Sequence, residues 1–193
     1  MLKKTLVKLI FFVIVFNNTL LSQDIPIIVI APSKKPQSAS TVGTSVVVLD
    51  EEFLKKSNEF FLGDVLSSGT TSANFFQNGG HGSTSAIQLR GLPKRYSTVY
   101  IDGVKMSDPS SVSGDFDFNH ILTSQISRVE ILKGNQSSVY GSGAIGGTIN
   151  ITTKKGKPGR QKNIMVNTGS YKTVNYSGSY SGSDDDKNFY LGL

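Results

Sequence analysis

The feature that most constrains this fold is a pair of alternating segments joined by a glycine-rich turn, between Arg128 and Lys155. In the first segment, Val129 and Ile131 lie on one side and Glu130 lies on the other. The second segment, Thr148 to Thr153, is rich in β-branched residues. Alternation with a period of two indicates β-strands. The sequence therefore predicts a strand, a glycine loop and a second strand.

The glycines of this turn also have the spacing of a dinucleotide-binding fingerprint, with Gly141, Gly143 and Gly146 in its three positions. That mechanism needs a helix whose N-terminus faces the pyrophosphate, whereas the residues that follow predict a strand. It also needs an acid about 20 positions further on, but the next acidic residue after Glu130 is Asp184. The pattern therefore indicates a turn between strands rather than a phosphate site.

Composition favours a β-rich, turn-rich protein of one ordinary domain. The 193 residues include 20 glycines and neither cysteine nor tryptophan, which excludes a disulfide framework and a cysteine-based metal site. His81 and His120 are far apart in the chain, and no nucleophile elbow or phosphate-binding lysine loop is present. We therefore expect no enzymatic activity, no cofactor and no metal site.

The N-terminus has the layout of a secretory signal peptide. Lys3, Lys4 and Lys8 precede an apolar run from Leu9 to Phe16, and we predict that residues 1–22 are cleaved off. A membrane anchor is the alternative, but the run is far shorter than the roughly 20 apolar residues that a spanning helix needs. Cleavage removes three lysines and lowers the net charge from +6 to +3, so we expect no binding to nucleic acid.

A short β-branched segment with prolines at both ends follows the signal peptide. Proline disfavours helix and leaves an extended backbone with unpaired groups, which a partner can use for strand addition. An ordinary first strand of the fold is the alternative that the residues leave open. The segment consists of Ile25, Pro26, Ile27, Ile28, Val29, Ile30 and Ala31.

The next part of the chain predicts a strand and two short helices. Residues 44–49 are β-branched, and Asp50 to Glu52 place acids in a first helical turn, where they suit the helix dipole. A second helix is predicted over residues 59–66. Its Phe60 and Phe61 could form a ligand pocket, but large apolar residues usually fill cores, so packing is the better interpretation.

A hairpin and two polar stretches complete this region. Residues 97–101 and 104–106 flank Asp102-Gly103, a strong hairpin-turn signal that explains Asp102 without a catalytic role. Residues 67–85 are expected to be mostly loop. Residues 107–119 hold three carboxylates whose spacing fits no calcium loop, so we expect a solvated loop. These carboxylates are Asp108, Asp115 and Asp117.

From Asn163 onward the alternation of polar and apolar residues lengthens. Segments of about ten alternating residues with short turns are typical of transmembrane barrel strands. We expect one strand from residue 164 to 168, a second from 173 to 180, and a solvated turn at residues 183–188. The last residues, up to Leu193, then begin a third strand.

Three motifs together resemble the plug domain of TonB-dependent outer-membrane receptors. They are Leu89-Arg90-Gly91, Val99 to Val104, and the segment from Arg128 to Lys155, and their order and spacing match as well. The likeness covers about residues 24–182. Within the family, the cobalamin receptors are the most similar. That similarity rests on Gln77 to Gly80, Gly82, Arg90-Gly91 and Ser111 to Gly114.

The resemblance implies an α+β fold: a plug domain with a small mixed sheet, short helices and long loops, then the first antiparallel strands of an incomplete transmembrane β-barrel. The implied domains are a TonB box and linker at 23–33, the plug at 34–157, and the start of the barrel at 158–193. Family barrels have about 22 strands. Because three strands cannot satisfy their edges in lipid, we expect a fragment or a truncated product.

The resemblance also implies functional residues. Ile25 to Ala31 would be the TonB box, which pairs with periplasmic TonB, while Arg90 and Arg128 would anchor the plug to barrel glutamates. For Arg128, an ion pair with Glu130 on the same strand face is the alternative. The external ligand would contact loop tips at Thr84, Ala86, Pro93, Val112 and Ser113.

The expected function is energy-coupled nutrient uptake across a Gram-negative outer membrane, with cobalamin as the favoured ligand. A siderophore or haem receptor of the same family is one alternative, and a free-standing periplasmic binding domain is another. Pro93, Lys94 and Arg95 depart from the small polar residues of the cobalamin receptors. Their two positive charges would suit an anionic siderophore.

Overall fold

The structure is a computed structural model that describes residues 28–31, 33–57, 59–80, 82–112, 114–184 and 187–193. No helix within these ranges is long and apolar enough to cross a membrane. The predicted signal peptide and Ile25 to Ile27 lie outside the described residues. The elements are β1 (Ile28–Val29), β2 (Gln37–Ser38), β3 (Val46–Leu49), α1 (Glu51–Lys56), α2 (Leu62–Gly69), β4 (Ala73–Gln77), β5 (Ser85–Leu89), β6 (Ser97–Ile101), β7 (Val104–Met106), β8 (Ile126–Lys133), α3 (Ser137–Tyr140), β9 (Gly147–Thr153), β10 (Gly159–Thr168), β11 (Val174–Asp184) and β12 (Lys187–Gly192).

A mixed five-stranded sheet forms the centre of the fold, in the order β3-β8-β9-β6-β7. Strand β9 pairs with β6 in parallel, and the other neighbours are antiparallel. The two alternating segments around the glycine turn are therefore adjacent strands of this sheet, as the sequence predicts. Together with the short helices, the sheet confirms the α+β plug architecture.

Strand β8 is covered on both faces. Val129 and Ile131 belong to the main core, which also contains side chains of α2, β5 and β9. Leu132 lies in a second, smaller cluster with Ala31 and Tyr140. Because the second cluster includes the N-terminal segment, that segment packs against the sheet instead of standing free.

The first two helices follow the sequence with one correction. The Asp50 carboxylate caps α1 by accepting the Phe53 N–H at 2.8 Å, as the acidic start predicts. The second helix begins at Leu62 and not at Glu59, because Phe61 forms a β-bridge with Leu122 and remains extended. The helix buries Leu62, Val65 and Leu66, as predicted, whereas Phe60 and Phe61 lie before it and are only partly buried.

The expectation of a loop over residues 67–85 is wrong in part. Residues 73–77 form β4, which pairs with β5 in the register Phe75↔Ile87. The local sequence is polar, but Ala73 and Ile87 are buried under α2 and the sheet. Pairing with β5, the next strand along the chain, thus overrides the turn-forming composition of the surrounding stretch.

The two predicted turns adopt the conformations that glycine permits. Asp102 and Gly103 have φ values of +48° and +85°, which matches the predicted hairpin turn. One helical turn, α3, which the sequence does not predict, precedes the glycine-rich turn, and that turn ends at Gly147 with φ +149°. A Cβ on Gly147 would lie 2.3 Å from the Leu132 carbonyl oxygen, so this position has no room for a side chain.

The C-terminal strands form a separate antiparallel sheet, β10-β11-β12. Strand β10 is exposed along its whole length. The sheet meets the plug at the linker, where the Asn188 amide accepts the Gly156 N–H at 2.7 Å and donates to the Gly156 carbonyl at 2.9 Å. These strands agree with the predicted first antiparallel strands after the plug. The turn predicted over residues 183–188 is wrong in part, because β11 extends to Asp184 and β12 begins at Lys187.

Candidate functional site: the loop cluster and the N-terminal clasp

Among the predicted ligand-contacting residues, three lie on loops that the structure joins together, whereas Ala86, expected at a loop tip, lies within β5 because that strand begins at Ser85. Thr84, Pro93 and Val112 are exposed, and Ala86 in β5 is partly buried. Ser113 lies outside the described residues. Their roles as ligand contacts stay predictions.

Three polar contacts hold these loops in one cluster. Lys94, after β5, forms an ion pair with Asp115 in the following polar loop. The Ser85 hydroxyl donates to the Asp117 carboxylate and accepts the Phe118 N–H at 3.0 Å. We call the loops before β5, after β5 and over residues 107–119 the loop cluster. Because these contacts link three separate segments, they fix the relative positions of the predicted ligand contacts.

The expectation that residues 107–119 form a solvated loop is therefore wrong for two carboxylates. The Asp115 side chain is only 7% exposed in its ion pair, and Asp117 also accepts the Asn119 N–H at 3.1 Å. Only Asp108 is a local turn residue, and hydrogen bonds from Ser110 lower the pKa of its carboxyl. Within the described ranges, no group of three acidic or histidine side chains could hold a metal ion.

Lys94 and Arg95 have different surroundings. Asp115 neutralises the charge of Lys94, whereas Arg95 is exposed and lies 4.9 Å above the ring of Tyr96. An Arg95 guanidinium nitrogen also donates to the Tyr96 hydroxyl at 3.2 Å. The loop cluster thus presents the cation of Arg95 outward on an aromatic support, a distinction that the sequence alone could not make.

The N-terminal segment is held by the plug and is not the free strand that the prolines predict. Val29 is fully buried and Ala31 is 4% exposed, while Ile28 and Val29 pair with Ser38 and Gln37 of β2. The expectation of unpaired, exposed backbone is therefore wrong for residues 28–31. The segment is held against the plug because it contacts Glu130 and Tyr140, which lie about 100 residues further along the chain.

Glu130 and Tyr140 bind the main chain of this segment from two sides. The buried Glu130 carboxylate accepts the Ile30 N–H at 3.0 Å and the Ala31 N–H at 2.7 Å. The Tyr140 hydroxyl donates to the Ala31 carbonyl oxygen. We call this arrangement the clasp: Glu130 and Tyr140 with Ile30 and Ala31. Burial of Tyr140, with a smaller contribution from the charge of Glu130, raises the pKa of its hydroxyl.

The two arginines of the resemblance have different positions. Arg128 forms an ion pair with Glu130, with 2.9 Å between Nε and Oε1, as the alternative predicts. Arg90 is exposed at a turn with φ +56°. The anchoring of both arginines to barrel glutamates stays a prediction.

A groove of about 620 Å³ lies between the plug and residues of β10 and β11. Its charged lining consists of five lysines and two acids: Lys55, Lys154, Lys155, Lys157, Lys162, Glu51 and Glu59. Burial lowers the pKa of Lys154, whose ammonium donates to the Ser124 carbonyl at 2.7 Å. This basic groove is not predicted by the sequence, because its lysines are far apart in the chain or belong to a linker.

Residues 38–148 match the family described as TonB-dependent Receptor Plug Domain, which is more than half of the chain. The chain belongs to this family. The matched range includes the loop cluster, β8 and the glycine-rich turn, and the clasp joins it to the segment before residue 38.

Solved structures support the same architecture. The ferric yersiniabactin uptake receptor FyuA from Yersinia pestis is 25% identical, with a TM-score of 0.62, over 81% of this chain and 25% of that chain. The pyoverdine outer membrane receptor FpvA from Pseudomonas aeruginosa has a TM-score of 0.69 at 18% identity, over 82% of this chain and 22% of that chain. The siderophore receptor PiuA from Acinetobacter baumannii has a TM-score of 0.60 at 22% identity, over 78% of this chain and 20% of that chain. This chain thus spans about a quarter or less of the length of these proteins.

Proposed function

We propose that this chain is the N-terminal part of a TonB-dependent outer-membrane receptor for a ferric siderophore. The observation that carries the choice of ligand is the outward charge of Arg95 on the loop cluster. A guanidinium on an aromatic ring suits an anionic chelate, to which it can donate charge-assisted hydrogen bonds. The similar solved structures bear the names of siderophore receptors, which supports the same choice.

Cobalamin uptake, which the motifs near residues 77–82 and 111–114 favour, becomes the second candidate. The loop after Arg90-Gly91 carries Pro93 and Arg95 in place of the small polar residues of the cobalamin receptors. None of the solved structures described above is named for cobalamin. A haem receptor of the same family is a further alternative. We still expect no enzymatic activity. The family match is one of sequence, which argues against a likeness that is only architectural.

The proposed partners and location follow from the family. Periplasmic TonB would pair with the segment before the plug by strand addition. The ordered loop cluster would contact the ligand on the extracellular side of the outer membrane and transmit its binding through the plug. The predicted signal peptide over residues 1–22 would direct the protein across the inner membrane. The proposed location is the outer membrane, with β10 to β12 among the spanning strands.

Calorimetry of the receptor that carries this chain tests the choice of ligand. Ferric siderophores of catecholate, hydroxamate and carboxylate type are titrated in parallel with cobalamin and haem. Saturable heat with one ferric siderophore and none with cobalamin is the expected result. Heat with cobalamin alone would restore the second candidate and refute the first.

A further inference from the structure

The clasp uses main-chain groups that strand addition would need. An added strand pairs through free N–H and C=O groups of an extended segment. In this chain the N–H groups of Ile30 and Ala31 bind Glu130, and the Ala31 carbonyl binds Tyr140. Residues 28–29 are already paired with β2. The backbone of residues 30–31 is therefore committed to the plug.

Opening the clasp would be costly. The Glu130 side chain is 5% exposed, so losing both backbone N–H donors would leave a buried carboxylate with Arg128 in place of one charged partner and two N–H donors. Hydrogen bonds to charged groups are stronger than neutral ones, and an unsatisfied buried charge is strongly unfavourable. Release of Val29 and Ala31 would also expose two buried apolar side chains.

From this geometry we propose that Ile28 to Ala31 are part of the plug, and that Glu130 and Tyr140 are positioning residues that set where the coupling segment ends. TonB pairs only with residues N-terminal to Ile28, and the clasp stays closed in that complex. The part of this inference that involves TonB rests on the proposed function. The clasp itself does not.

Amide hydrogen exchange of the chain in the absence of TonB tests the clasp directly. Tyr140→Phe removes the hydroxyl that binds Ala31, and Glu130→Gln removes the charge that binds two N–H groups. Tyr100→Phe is the matched control, because the Tyr100 hydroxyl donates to the Tyr140 carbonyl at 3.3 Å and the two rings pack edge to face. We expect exchange at residues 30–31 to become about tenfold faster in both clasp variants and to change little in the control.

Binding of the periplasmic domain of TonB then separates a closed clasp from an open one. We expect the Kd for TonB to agree within about twofold among the wild type, Tyr140→Phe and Tyr100→Phe, because none of the clasp bonds is broken on binding. Several-fold tighter binding by Tyr140→Phe would show that TonB must displace the clasp, and would overturn the boundary.

The other outcomes are equally decisive. Exchange at residues 30–31 that is the same in Tyr140→Phe and Tyr100→Phe would refute the clasp. If TonB does not bind the wild-type chain, the proposed coupling fails and the boundary fails with it. In that case the exchange measurement still decides whether Glu130 and Tyr140 hold the segment.

Discussion

Arg128 and Glu130 lie two residues apart on one face of β8, and their side chains form an ion pair with 2.9 Å between Nε and Oε1. The same carboxylate binds the main chain of Ile30 and Ala31. One acidic side chain therefore connects the central strand with the N-terminal segment. Its role is internal to the plug, whatever partner Arg128 has in a complete barrel.

Replacing Arg128 with alanine should destabilise the plug. The substitution leaves a buried carboxylate with one charged partner fewer, so we expect a loss of about 1.5–3 kcal/mol in the free energy of unfolding. Lys56→Ala is the control, since Lys56 and Glu52 form a pair whose side chains are each 74% exposed. Its expected cost is below about 0.5 kcal/mol. Urea unfolding of the chain measures both, and equal losses would contradict the account.

Tyr140 should make the stability of the chain fall in alkaline solution. Burial raises the folded-state pKa of its hydroxyl above the ordinary value of 10.0. The unfolded state therefore ionises first, and the stabilisation is complete below pH 10 but is lost as pH rises through the folded-state pKa. Urea unfolding from neutral to alkaline pH should show a steeper loss for the wild type than for Tyr140→Phe. Parallel profiles would refute this prediction.

Gly147→Ala should be among the most damaging single changes in the glycine-rich turn. The residue has φ +149°, and its new Cβ would lie 2.3 Å from the Leu132 carbonyl oxygen. We expect a loss of about 3 kcal/mol or more, because the pairing of β8 with β9 must shift. Gly43→Ala is the control, with no heavy atom within 4 Å of the added Cβ. Thermal unfolding of the two variants should differ clearly, and similar midpoints would argue against this packing.

Arg95→Gln should weaken ligand binding if the ligand is anionic. We expect Kd to rise about tenfold at low salt, which corresponds to about 1.4 kcal/mol, and Arg95→Lys to keep part of the affinity. Lys105→Gln changes the net charge equally at an exposed position on the edge strand β7, and should alter Kd less than twofold. Calorimetry at two salt concentrations measures these values. An equal effect of both glutamine variants would show that only net charge matters.

Local signals predicted much of this fold. Asp102-Gly103 predicted the hairpin with its exact strand limits, Asp50 predicted the start of α1, and alternation predicted β8 and β9. Each of these depends on residues that are close in the sequence, where turn, cap and periodicity rules apply. The predicted ligand contacts came instead from the family resemblance, and Thr84, Pro93 and Val112 among them are exposed.

The features that the sequence could not predict depend on distant contacts. The start of α2 moves because Phe61 bridges Leu122, which lies 61 positions further along the chain. The clasp joins Glu130 to Ile30 across 100 positions, and a lone Glu in a strand gives no local sign of such a partner. The same is true of the Lys94–Asp115 ion pair, which decides which of two neighbouring cations faces outward.

The most direct test of the central claim is uptake of a radiolabelled ferric siderophore by cells whose only receptor for it carries this chain. Uptake is compared in cells with and without functional TonB, with external binding measured in both at low temperature. The account predicts that binding is unchanged and that uptake requires TonB. Equal uptake in the two strains, or cobalamin uptake with no ferric siderophore uptake, would contradict it.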